Sequence, residues 1–281
     1  VKYVLLTLRA DNKGEGGIFS LYTLVRRLHP RLLLPAIIGG AALLADGMIT
    51  PPISVSSAIE GLRIIYPQIR TVPIVITIII LLFSMQRFGT RAVGRFFGPI
   101  MVCWFAMLAV LGAIGIGQDF QVLKAISPWY GYDLLVRHPA GFWVLGAIFL
   151  CTTGAEALYS DLGHCGRRNI KVGWAFVKTS LLLNYFGQGA WLLRHAGSSL
   201  GERNPFFELM PSWFLVPGIM IATVAACIAS QALISGSFTV VSEAMRLHLF
   251  PKFKIAYPTD IRGQIFIPAV NGLLLIGCVG V

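Results

Sequence analysis

Two of the twelve acidic residues in this 281-residue chain stand where a carboxylate is costly to keep. Asp46 lies in LLADGMITPP (43–52), near the middle of an otherwise apolar run from Leu32 to Ile59. Glu156 lies in CTTGAEALY (151–159), within a second apolar run over 140–160. A charged side chain at the centre of a bilayer-spanning segment costs roughly 2.5–3.5 kcal/mol on insertion scales and is kept where it is used. The other acids have plainer explanations. Asp11, Glu15, Asp119, Asp133, Glu202, Glu208 and Asp260 belong to polar loops, and Glu60, Asp161 and Glu243 stand at the ends of apolar runs, where a carboxylate caps a helix or pairs with a basic neighbour.

Both midspan acids have hydroxyls at helical spacing. If the segment stays helical, Thr50 lies at i+4 from Asp46 on the same face, just before Pro51, which is expected to stop the turn. A carboxylate and a hydroxyl together offer oxygen ligands to a hard cation, and the Pro51-Pro52 pair would release backbone carbonyls to add to them. Around Glu156, Thr152 and Thr153 fall at i−4 and i−3 and Tyr159 at i+3, so one face would carry several oxygens. The alternative for each acid is an interhelical hydrogen bond, with Glu156 held protonated. Desolvation raises a carboxyl pKa and a nearby cation lowers it, so one group can exchange a proton for a cation. That is a basis for symport or antiport, and the residues do not choose between them.

The elements that must position these groups are membrane helices. The chain is 56% hydrophobic and 12% charged, whereas soluble domains carry about 25% charged residues. A span needs about 20 apolar residues. The predicted spans are 32–59, 72–90, 96–117, 140–160, 172–193, 212–242 and a run cut off over 265–281, with 1–9 as the end of an earlier helix. The alternate loops 9–31, 87–95, 163–171 and 246–262 hold 15 of the 23 Lys and Arg, against six on the opposite side. The richer side is expected to be cytoplasmic. The net charge of +11 is then topology and headgroup contact, which argues against nucleic acid as a partner.

Several spans carry residues an ordinary helix avoids. Span 32–59 has Gly39, Gly40, Gly47 and the Pro51-Pro52 pair; 140–160 has Gly154; 212–242 has Pro217, Gly218 and Gly236 among Ser230, Gln231, Ser235 and Ser237. Irregular backbone at membrane depth is tolerated where it lines a cavity, and interrupted helices build many transporter sites. Small residues also let helices pack closely, and that is the favoured reading for the serines of 230–237. Cys103, Cys151, Cys227 and Cys278 sit in apolar runs as small hydrophobes; Cys165 beside His164 is too little for a metal site. HExxH, Walker, Gly-x-Ser-x-Gly and TVGYG-like motifs are missing, which argues against an enzyme and weakens a channel reading.

The motifs RADNKGEGG (9–17), ADGMITPPISVSSAIEG (45–61), QRFGT (86–90), GAEALYSDLGHCG (154–166), LNYFGQGA (183–190), NPFF (204–207), IASQALISGSF (228–238) and GQIFIP (263–268) resemble, in order, those of the KUP/HAK/KT potassium uptake permeases. The resemblance covers nearly the whole chain. It implies an all-α polytopic membrane protein with the amino acid–polyamine–organocation (leucine-transporter-like) inverted-repeat fold, incomplete here because the first helix and a cytoplasmic C-terminal region would lie outside it. It implies proton-coupled potassium symport across the plasma membrane by alternating access. The family's acidic position before Ile-Thr-Pro falls on Asp46, where Glu is common. Its intramembrane glutamate falls on Glu156 and its threonine on Thr153. The second proline, Pro52, departs from the pattern and leaves the local backbone course open.

The expectation is therefore potassium bound by Asp46, Thr50, Thr153 and Tyr159, with Glu156 carrying the exchanged proton and Asp46 the alternative. No cofactor is expected beyond potassium as substrate and the proton as coupling ion; a homodimer is a possible partner besides the lipid. The competing readings are a passive potassium channel or uniporter, and an amino acid or polyamine permease on the same helix plan.

Overall fold

The computed structural model describes residues 16–26, 29–88, 91–138, 140–151, 167–201, 203–257 and 265–281. Among them the regular structure is helical, with a single isolated bridge between Ala256 and Phe266. In chain order the α-helices of eight residues or more are α1 (Ile18–Val25), α2 (Leu33–Glu60), α3 (Thr71–Met85), α4 (Arg91–Gln118), α5 (Pro128–Arg137), α6 (Gly141–Cys151), α7 (Arg167–Arg194), α8 (Leu215–Arg246) and α9 (Pro268–Gly280). Three described segments are long and apolar enough to cross a bilayer: Pro30–Ile65, Gly94–Gln118 and Leu215–Arg246; α3 and α9 are shorter apolar helices. At 1.5 Å per residue, the 28 residues of α2 reach about 42 Å, beyond the roughly 30 Å hydrocarbon core.

The chain divides into two compact units. One holds residues 1–104, 155–172 and 216–281, and the other 105–154 and 173–215. In the first, α2 packs on α3 and α9, and its core is Val55, Ile59, Ile79, Phe83, Ile234, Phe238, Val241, Ile267 and Leu274. These positions repeat at intervals of three, four or seven residues, which is the apolar stripe a packed helix needs. Phe19 of α1 joins Ala36, Leu43, Val240 and Ala244 in a second cluster. Gly47 is the point of closest approach in α2. A Cβ there would stand 2.6 Å from Oγ of Ser237, so α2 can lie this near α8 only with glycine at that position.

In the second unit the latter half of α4 crosses α7 backbone to backbone. A Cβ on Gly187 would sit 2.6 Å from Cα of Gly112. Phe105 and Phe176 meet edge to face with centroids 6.3 Å apart, farther along the same pair of helices.

The expected stop at Pro51 does not occur. α2 runs unbroken through Pro51 and Pro52, both buried. Proline fixes φ near the helical value, so it continues a helix at the cost of one hydrogen bond and of crowding against the carbonyl four residues back. For Pro51 that carbonyl belongs to Gly47, and it is met by the thiol of Cys278 on α9, Sγ to O 3.6 Å. A neighbouring helix has taken over the bond the proline gave up. α8 is likewise continuous past Pro217, which lies in its first turn, where backbone N–H groups have no intrahelical partner to lose. Of the small residues noted in this stretch, Ser230 and Ser237 are buried and donate back to the carbonyls of Ala226 and Leu233.

Candidate cation site

α2 has two faces of opposite character. Leu43, Gly47, Pro51, Val55 and Ile59 are buried in the first unit. Rotating by 100° per residue, the opposite side presents Asp46, Ile49, Ile53, Ser57 and Glu60, all exposed, with Thr50 half-buried at its edge. The core of the first unit is therefore built without these groups. A carboxylate at bilayer depth must meet water or further protein rather than lipid, although Ile49 and Ile53 share its face.

Asp46 and Thr50 are joined on that open face. Oγ1 of Thr50 donates to Oδ1 of Asp46 at 2.5 Å, one turn apart along the helix. The bond fixes the carboxylate rotamer and leaves Oδ2 and the lone pairs of the hydroxyl oxygen as acceptors. An anionic and a neutral oxygen held one turn apart form part of a shell for a hard cation, which prefers oxygen donors. Among the described residues no three His, Cys, Asp or Glu side chains gather into a metal-binding group.

Of the other predicted site residues, Thr153, Glu156 and Tyr159, like Thr152 and Gly154, lie outside the described residues. Among the described residues the structure brings together Asp46 and Thr50. Sequence reasoning treated Glu60 as a cap or a partner for basic neighbours. In the structure it makes no ion pair among the described residues, and nearby Arg63 donates instead to Thr71, Nη2 to Oγ1 3.4 Å. Positions 46, 50, 53, 57 and 60 keep the i, i+4, i+7 spacing of one helical face, and extending that spacing past Thr50 places Ser57 and Glu60 on the same face as Asp46.

Bilayer-length apolar helices, and an open helix face with a carboxylate braced by a hydroxyl, mark this chain as part of a polytopic α-helical membrane protein of the transporter class. Residues 1–281 match the family described as the K+ potassium transporter integral membrane domain, and the chain belongs to that family. A Flavobacterium psychrophilum relative, described as a probable potassium transport system protein Kup, is 63% identical over 287 residues, covering 100% of this chain and 44% of the relative. A Cytophaga hutchinsonii protein of the same description is 63% identical over 284 residues, covering 99% and 43%. One from Clostridium perfringens is 53% identical over 295 residues, covering 100% and 44%. The chain spans less than half the length of these relatives. The family is one of transporters, not enzymes. No solved structure matches the chain.

Proposed function

We propose that the whole protein takes up potassium across the plasma membrane by proton-coupled symport with alternating access, on a leucine-transporter-like fold. The observation that carries this reading is the Thr50–Asp46 hydrogen bond on the uncovered face of an apolar helix. Dehydrated potassium is held near the midplane by Asp46 and Thr50, with Thr153 and Tyr159 from the 140–160 segment. Glu156 exchanges the coupled proton, with Asp46 as the alternative. The single carboxylate beside a neutral hydroxyl suits a bare monovalent cation. An amino acid would need partners for a carboxylate as well as for an ammonium group. The loops 9–31, 87–95, 163–171 and 246–262 face the cytoplasm, following their Lys and Arg content.

The test is uptake of radioactive rubidium into proteoliposomes holding the full-length protein, with and without an inward proton gradient at clamped voltage. Symport requires uptake that rises with the gradient. Uptake indifferent to the gradient leaves potassium as cargo but moves the mechanism to a channel or uniporter and removes the role of Glu156. Competition by amino acids rather than by potassium would transfer the site to the permease reading.

A further inference from the structure

Between Gly94 and Gln118, α4 is long and apolar enough to cross a bilayer, and α6, an uncharged apolar helix at the start of the 140–160 run, begins at Gly141. α5 lies between the end of one and the start of the other, and so at an edge of the membrane. It is held there from both sides. Val122, in the short segment that leads into α5, is buried, and a Cβ on Gly189 of α7 would stand 3.1 Å from its Cγ2. At the far end a Cβ on Gly141 would stand 2.7 Å from the carbonyl oxygen of Leu134, so α6 starts hard against α5.

α5 is two-sided. At 100° per residue, Leu135, Tyr132, Val136 and Trp129 fall within an arc of about 120°. All four are exposed, and the rings of Trp129 and Tyr132 have their centroids 5.6 Å apart, so the two aromatic groups share one surface. The charges lie outside that arc, where Nε of Arg137 meets Oδ1 of Asp133 at 2.6 Å, one turn apart. Trp and Tyr combine an apolar ring with a polar tip and gather at membrane–water boundaries. A dry apolar contact with another helix would leave the indole N–H and the phenol hydroxyl without partners, whereas headgroup oxygens supply them.

We infer that α5 lies flat in the interfacial layer of the bilayer. Trp129, Tyr132, Leu135 and Val136 sink among the glycerol and upper acyl groups of phospholipids, and Tyr130 and Arg137 turn to water. α5 then anchors the start of α6 at a fixed depth. The inference rests on α4 and α6 being membrane helices and goes beyond the transport reading, since neither potassium nor the proton enters it.

The full-length protein in phosphatidylcholine vesicles is given single spin labels through Trp129→Cys, Tyr132→Cys or Val136→Cys on one side of α5, and Tyr130→Cys or Arg137→Cys on the other, in a background without other reactive cysteines. Labels on the first side should meet dissolved oxygen several-fold more often, relative to a water-soluble nickel chelate, than labels on the second. Labels at 129, 132 and 136 that are shielded from both reagents would place protein over this face and overturn the anchor. Labels that meet the chelate equally on both sides would place it in water and overturn the anchor too. Protein without labels gives an independent reading, because Trp129→Phe keeps an aromatic ring and its difference from wild type isolates the Trp129 fluorescence. Phospholipid brominated near the glycerol end should quench at least half of that difference, and phospholipid brominated at the chain end much less. Fluorescence of Trp129 indifferent to both lipids would sink the proposal.

Discussion

The thiol of Cys278 lies 3.6 Å from the carbonyl oxygen of Gly47, on the helix facing it. Pro51, four residues after Gly47, has no N–H to give that carbonyl, so a side chain from α9 stands in for the missing backbone donor. α2 continues through Pro51 with this contact in place, and Asp46 and Thr50 stand one turn apart outside its packed stripe. Gly47 is the hinge of both arrangements: its lack of a side chain admits Ser237 at close range, and its carbonyl is the one exposed by the proline.

Replacing Cys278 separates packing from hydrogen bonding. Cys278→Ala removes the donor and a buried sulfur together, and the purified protein in detergent should lose about 1–3 kcal/mol. Cys278→Ser keeps a donor of similar size and should recover part of that loss. Equal destabilisation by the two variants in a thermal unfolding series would show that the S–H···O contact contributes nothing.

The crossing of α4 and α7 makes a sharper demand. A methyl group on Gly187 would overlap the backbone of Gly112, and neither helix has a movable side chain there to give way. Gly187→Ala should therefore cost more than about 2 kcal/mol or abolish the folded yield. Gly236→Ala, in α8, meets nothing within 4 Å and should be neutral or stabilising by up to about 1 kcal/mol. Comparable melting temperatures for the two variants in detergent would contradict the backbone crossing.

The helices were the legible part. The apolar run 32–59 is helical as Leu33–Glu60, and 212–242 overlaps Leu215–Arg246 for all but its first three residues, because apolar length is written directly in residue type. The pairing of Asp46 with Thr50 was legible for the same reason, being a contact within one helix at fixed spacing. The course of the backbone at Pro51 was not. Whether a proline stops a helix or passes through it depends on whether a neighbour satisfies the freed carbonyl, and here that neighbour is Cys278, 231 positions away. The same limit hid the character of Glu60. Its spacing from Asp46 was in the sequence, but that nearby Arg63 turns to Thr71 rather than to Glu60 depends on where α3 packs.

Thr50 offers a test of the brace itself. A neutral donor to a carboxylate is worth about 1.5–3 kcal/mol when the bond is charge-assisted. Thr50→Val keeps the shape and removes the hydroxyl, so the half-saturating concentration for rubidium should rise by about tenfold or more in the full-length protein. Thr50→Ser restores the hydroxyl and should return most of the affinity. A Val variant with wild-type uptake would mean that the hydrogen bond is incidental to binding.

Asp46 carries the argument that remains. Its side chain is exposed in the first unit and its one bond among the described residues is to Thr50, a neighbour on its own helix. Asp46→Asn changes the charge while keeping size and hydrogen-bonding capacity, and no core contact depends on the carboxylate. The variant should therefore express and melt like the wild type, within about 0.5 kcal/mol as for a surface substitution. Potassium-dependent growth of an uptake-deficient host, and rubidium uptake in vesicles, should both be lost. An Asn variant that folds normally and still supports growth at low potassium would remove Asp46 from the site and leave its cost at membrane depth to be explained by structure alone.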